Sequence, residues 1–406
     1  MNLKTAGYLS LITLTAMLST AHAQTFSVIH TFTGSGGDGA IPVAGVTMRG
    51  GTLYGTTQEG GNGGVSGAGT VYQMSRAGSD WNYALIFFFP ADGSGGANPQ
   101  ARVVFGPDGH LYGTASNGGA SHGGVLFNLT PPLSICKTVY CSWRENVVHS
   151  FGAGTDGSYP GYGDLIWDQW NDQGNIYGTT VSGGSYANGA VYELTKSGSN
   201  WTESLPFSFD PHSGCYGASP WAGVTYVPAN STFFGTTSNG FFGGVVWNLG
   251  GLGTGCLLQF DGIGPAGTFP YAGLTTDASA NLYGAASDGG TNGGGTVFEL
   301  TAPNYTLTVA YSFSGAQSEC GPFANVTLDA TGNIYGTTRC DGANNLGNVF
   351  KLTKVGNGWA YTSLHDFSGT DGAYPTSSVT IDTGTLYGTA SAGGSYGNGV
   401  VWTIKP

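Results

Sequence analysis

The sequence predicts an all-β protein: one seven-bladed β-propeller, four antiparallel strands per blade, its ring closed by the N-terminal strand completing the last blade. Three observations predict it. Glycine is in large surplus, with 74 in 406 residues against a usual share of about 7 %. Four residue patterns each occur seven times. The two ends of the chain carry complementary fragments of the repeated unit.

Glycine this abundant beside 40 % hydrophobic and 13 % aromatic residues points to tight turns between short strands, not to disorder. No Gly-X-Y period is present, which excludes a collagen helix. Only 8 % of residues are charged, too few for long exposed helices. Residues 1–23 carry Lys4, an apolar run from Tyr8 to Leu18 and a final Ala21-His22-Ala23. That order reads as a secretory signal cut before Gln24, leaving residues 24–406 as the single propeller domain of a secreted or periplasmic protein. No later stretch is long and apolar enough to span a bilayer. Cleavage leaves 10 basic against 23 acidic residues, a balance that repels nucleic acid and anionic membrane surfaces.

The first pattern is an aromatic, Gly and two small residues. It begins as Leu53-Tyr54-Gly55-Thr56-Thr57 and recurs at Tyr112, Tyr177, Phe234, Tyr283, Tyr335 and Tyr387. The second, Gly-x-aliphatic-aromatic, ends at Tyr72, Phe127, Tyr192, Trp247, Phe298, Phe350 and Trp402. The third is a Phe closing an apolar segment, at Phe32, Phe89, Phe151, Phe209, Phe260, Phe313 and Phe367. The fourth is a Pro ahead of an apolar strand, at Pro42, Pro99, Pro160, Pro220, Pro270, Pro322 and Pro375.

Each unit reads as four strands. Strand a resembles Ala272-Gly273-Leu274-Thr275, and a turn such as Asp329-Ala330-Thr331-Gly332-Asn333 follows. Strand b is the Tyr-Gly-Thr-Thr segment, strand c carries the second aromatic, and strand d ends at the recurring Phe. In five units an aromatic (Trp81, Trp143, Trp201, Tyr305, Trp359) precedes that Phe by eight residues, and an even offset puts both on one face of an extended strand. Four short strands in roughly 55 residues is the size of a propeller blade. The chain opens on a lone strand d, Val28 to Phe32, and ends on a, b and c without d, at Val400-Val401-Trp402. Pairing those ends closes the ring and removes exposed sheet edges.

The Leu-Tyr-Gly-Thr-Thr, Gly-Gly and Gly-Thr-Val-Phe strings resemble the gloeo/verruco (GloVer) tandem repeat of exported bacterial proteins, over essentially the whole chain after the leader. The resemblance implies a secreted or surface-attached protein and carries no established reaction. Many members bear a C-terminal anchor. This chain stops at Pro406, so a form without that anchor is expected. The double glycines are similar to those of kelch repeats, but Tyr-Gly-Thr-Thr does not fit that pattern.

Six cysteines in an exported chain predict disulfides. Cys136 with Cys141 is one expected bridge, inside an inserted loop. Cys320, ahead of a strand a, and Cys340, after the following strand b, share a rim and form a second. Cys215 with Cys256 follows by elimination, with two free thiols as the alternative.

Seven equal copies do not make one active site, so residues that break the repeat are the functional candidates. Loops from d to a and from b to c share one rim, where function is expected. Aromatics flank the recurring Pro at Tyr159, Trp221, Phe269, Tyr271, Phe323 and Tyr374. They are read either as a sugar-stacking ring or as caps on the blade interfaces. Gly45, Gly223 and Gly273 sit in strand a, where Arg102 takes the place of glycine and Asp164 lies nearby. The two are expected to pair; alternatively Arg102 holds a ligand carboxylate. Glu59, His122, Asp288, Arg339 and Asp341 supply further rim groups. Glu59 and Asp288 come from blades 1 and 5, too far apart for a glycosidase pair. His30, His149 and His365 read as outer-strand residues, and no metal site is expected. No phosphate loop, nucleotide fingerprint or nucleophile elbow occurs, so no cofactor is expected. The expected function is a monomeric module recognising a glycan or protein partner on one rim. The alternatives are a polysaccharide lyase or hydrolase at the axial mouth and a structural surface protein.

Overall fold

The computed structural model describes residues 24–405 apart from 133–141, 153–154, 169–173, 199, 211, 213–216, 241–242, 263 and 316–317. They form seven four-stranded antiparallel sheets, the seven blades of a propeller. Six blades take their strands a to d in chain order. In the seventh, Thr25–Thr31 pairs with Val400–Lys405, beside Thr385–Ala390 and Thr380–Asp382. The N-terminal strand thus closes the ring as the end fragments predict. Seven buried clusters fill the seven spaces between neighbouring blades. The cluster that joins the last blade to the first holds Phe32, Leu53, Tyr72, Tyr387 and Val401. Among the described residues, no helix is long and apolar enough to cross a membrane.

The repeated patterns are the parts of one joint. The Gly of strand b lies directly opposite the aromatic of strand c, as Gly388 does opposite Trp402. A Cβ on Gly388 would stand 2.3 Å from the Trp402 ring, so the glycine is the seat of the indole. The Thr after it reaches sideways: Thr389 Oγ1 donates to the Ala44 carbonyl at 2.8 Å and Thr236 Oγ1 to Ala272 at 2.7 Å, each in the next blade. The recurring Pro packs on the Gly that opens strand c of the preceding blade; a Cβ on Gly399 would lie 2.5 Å from Pro42 Cδ.

Two expectations are corrected. The aromatic eight residues before the recurring Phe is not on its face. Strand d carries a one-residue bulge in every blade, as where Val71 pairs Phe87 but Tyr72 pairs Leu85. A bulge reverses the alternation beyond it. Trp81 therefore packs into the interface with blade 7 and Phe89 into that with blade 2. Strand a is also shorter than expected, Thr275–Thr276 in blade 5. The glycine-bearing residues ahead of it run along the axis, where backbones touch: a Cβ on Gly223 would lie 2.3 Å from the Asp164 carbonyl oxygen.

Cys320 and Cys340 form the expected disulfide across 20 residues, and Cys256 is disulfide-bonded, which sets aside its free-thiol alternative. Cys136, Cys141 and Cys215 lie outside the described residues. The Cys320–Cys340 loop length corresponds to about 3 kcal/mol of lost freedom in the unfolded chain. Replacing both cysteines by serine is expected to destabilise by that order, measured by denaturant unfolding without reductant.

Candidate functional site

Seven strand-a segments converge on the axis, and small residues such as Gly45, Gly223 and Gly273 let their backbones approach closely. Arg102 breaks this rule, and its stem lies against Gly45. Its Nε donates to Asp164 Oδ2 at 2.7 Å, a terminal guanidinium nitrogen bonds the same oxygen, and its backbone N–H donates to Oδ1 at 3.2 Å. Asp164 raises the Arg102 pKa further. The pair is a doubly bonded, partly buried bridge between blades 2 and 3. Asn325 braces the next stretch, accepting from the Gly273 N–H at 2.6 Å. Together these side chains form a waist in the axial channel, with a void of about 40 Å³ beside them. The Arg102 guanidinium already holds a carboxylate of the protein itself.

The waist separates two funnels. One, of about 850 Å³, opens on the side of the a–b turns and is lined by Phe105, Trp167 and Tyr226 among others. The other, about 410 Å³, is the mouth on the expected rim. Its wall is one-sided. Tyr162 and Trp221 lie 5.6 Å apart, Trp221 meets Tyr271 edge-on at 6.2 Å, and Tyr271 stacks on Phe323 at 4.4 Å and 13°. The Arg339 guanidinium stands over Phe323 at 5.4 Å, a cation–π contact that holds a positive charge at the lip. The opposite wall is Ile41 and Val43, with Thr376, Ser391 and the 39 %-exposed Tyr374 between.

The Tyr271 hydroxyl donates to Glu319 Oε1 at 3.2 Å. Burial first, and then the Glu319 carboxylate, push Tyr271 up to about 12. Burial also raises Tyr162, against the pull of Arg339.

Of the predicted residues, the mouth gathers Trp221, Tyr271, Tyr374 and Arg339. Tyr159 touches Trp221 edge-on at 5.9 Å from behind. Tyr159, Phe269 and Tyr374 have left-handed φ of 53 to 59° and bond their N–H groups to the preceding blade. Arg102 and Asp164 form the waist. The rest are not brought together. His122 is exposed on the b–c loop of blade 2, away from the axial lining, so it does not converge with Arg102. Glu59 lies in the short ladder Glu59–Gly60, and Asp288 binds Ser318 Oγ at 2.6 Å. Asp341 acts on Tyr311 and Tyr361 in the outer strands. Sequence reasoning missed Tyr162 and Glu319. Tyr162 sits between Gly161 and Gly163, in the segment whose extra residue displaces Asp164. That insertion was the available signal.

Outside the mouth, burial alone pushes Glu145 up to about 7, and its Oε1 is buried without a hydrogen-bond partner. A carboxyl raised in the fold takes up protons on folding, so its stability contribution is lost as pH rises from near 4.5 through about 7. Glu145→Gln is expected to flatten stability over that window and to raise Tm at pH 8, read by thermal melts from pH 4 to 8.

Residues 15–163 and 241–406 match the Gloeobacter/Verrucomicrobia repeat. No curated protein matches the chain at a significant level. Among solved structures, the fold is similar to polysaccharide lyase Uly1, at 10 % identity and TM-score 0.52 over 90 % of this chain and 89 % of that one. It is also similar to the extracellular domain of a candidate one-component system protein from B. thetaiotaomicron, at 9 % identity and TM-score 0.54, covering 94 % of this chain and 42 % of that one. The periplasmic gluconolactonase PpgL of Pseudomonas aeruginosa has 14 % identity and TM-score 0.49, over 84 % of this chain and 93 % of that one. At these identities the likeness is one of fold.

Proposed function

The chain belongs to the Gloeobacter/Verrucomicrobia repeat family, and from that premise we propose that it is an exported binding module whose axial mouth recognises a saccharide. One observation carries the reading: the continuous aromatic arc Tyr162, Trp221, Tyr271 and Phe323 on one wall of a mouth of about 410 Å³. Sugar rings present flat C–H faces that suit such an arc, and a cavity of this size takes one to a few sugar units. Arg339 at the lip, with Thr376 and Ser391, offers donors to hydroxyls or to a uronate carboxylate.

A second reading, a polysaccharide-cleaving enzyme, draws on Tyr271, Glu319 and Arg339. Tyr271, raised to about 12, stays protonated near neutrality and donates a hydrogen bond instead of abstracting a proton. The test is a glycan array and a polysaccharide-degradation screen of residues 24–406 with wild type and Trp221→Ala. Glycan binding that is lost with Trp221, without product release, is expected. Product formation, or binding only to a protein partner, would overturn the reading.

A further inference from the structure

The propeller's outer rim holds a second constellation at the edge between blades 2 and 3, independent of the mouth. In three blades the residue two before the recurring Phe is a histidine, facing an aspartate of the following loop: His30 with Asp38 at 3.4 Å, His149 with Asp156 at 3.6 Å, His365 with Asp371 at 2.9 Å. In two of them an aromatic of the neighbouring outer strand lies flat on the imidazole. Tyr83 covers His30 at 4.0 Å and Phe26 covers His365 at 3.5 Å. At the third, the equivalent position of the next blade is Glu203, which places Oε2 at 3.6 Å from His149 Nε2. The repeat therefore breaks here by exchanging an aromatic lid for a carboxylate.

The geometry fits a cation better than a hydrogen-bonded network. Both 3.6 Å separations exceed hydrogen-bond length. They are close to the roughly 3.4 Å that separates two ligands on one tetrahedral zinc with metal–ligand bonds near 2.0–2.1 Å. His149 Nε2, Asp156 Oδ1 and Glu203 Oε1 are each buried without a hydrogen-bond partner in the protein. One ligand atom from each residue lies within 4.8 Å of the other two. The frame is fixed: the Gly152 N–H holds Asp156 Oδ2 at 2.7 Å, and the imidazole stands edge-on to Phe151 at 4.7 Å. Two facing carboxylates in a partly buried site are costly without a positive partner. The three side chains are 12 to 24 % exposed, which leaves an entry path and room for water ligands.

We propose that His149, Asp156 and Glu203 form a binding site for a divalent transition cation, one imidazole and two carboxylates clamping blade 2 to blade 3. Imidazole with carboxylates suits Zn²⁺, and an ion shared by two blades stabilises the folded ring through linkage.

The test is a calorimetric titration of metal-stripped, tag-free residues 24–406 with Zn²⁺. One Zn²⁺ per chain and a higher Tm with metal are expected. His149→Ala and Glu203→Gln should each weaken binding at least about tenfold, while His365→Ala, in the pair covered by Phe26, leaves it unchanged. Glu203→Gln keeps the side-chain shape and serves if His149→Ala does not fold. Absence of one-to-one binding by wild type, or binding that survives Glu203→Gln, would overturn the proposal. Saccharide binding at the mouth is read separately and does not bear on this outcome.

Discussion

Deleting residues 24–34 is expected to lower Tm by roughly 10 °C or to leave an aggregating product. The deletion removes strand Thr25–Thr31 and the fully buried Phe32. It leaves strand Val400–Lys405 with an unpaired edge. It also opens the cluster that joins Tyr387 and Val401 of blade 7 to Leu53 and Tyr72 of blade 1. Loss of one large buried aromatic and a ladder of backbone hydrogen bonds costs on the order of 5 kcal/mol. A typical domain has only about 5–15 kcal/mol in all. A synthetic peptide of residues 24–34 added in trans should restore part of the loss by strand addition. Unchanged thermal stability of the deleted chain would contradict ring closure by this strand.

The second large effect is expected at a glycine. Gly388→Val should cost about 3 kcal/mol, because the new Cβ falls 2.3 Å from the Trp402 ring, which is fully buried and has nowhere to go. Trp402→Leu on its own should also destabilise, by leaving a cavity. The double variant Gly388→Ala, Trp402→Leu should be more stable than the sum of its single effects, since shrinking the ring makes room for the methyl. Denaturant unfolding of wild type, Gly388→Ala, Trp402→Leu and the double variant measures this coupling. Strict additivity would show that the ring is not seated over the glycine.

The architecture was legible because it is written seven times. Gly388 and Trp402 are far apart in pattern but recur in step, so their partnership repeats as Gly55 with Tyr72 and Gly235 with Trp247. The exceptions Arg102 and Asp164 were legible for the opposite reason: each stands where the repeat places a small residue near the axis. Facing was less legible. The bulge in strand d reverses the side of every residue before it, and nothing in the spacing of Trp81 and Phe89 announces it. His149 is an outer-strand residue as read and lies beyond the bulge with Phe151; the residue that the spacing did not place is Glu203, which precedes the bulge of the next blade and so turns back toward His149. Tyr162 and Glu319 lie in d–a connections of unequal length, where no register links one blade to the next. Their place at the mouth depends on loop conformation that the repeat does not encode.

The most direct test of the binding mouth is calorimetric titration of an array-identified saccharide into wild type and into Trp221→Ala, Tyr271→Ala. Both rings face the mouth and neither belongs to a blade-interface cluster. Saccharide affinity is therefore expected to fall by about 100-fold or more, at roughly 1–2 kcal/mol per lost stacking contact, with Tm changed by no more than a few degrees. Saccharide binding of wild-type strength in the double variant would contradict the assignment of the aromatic mouth.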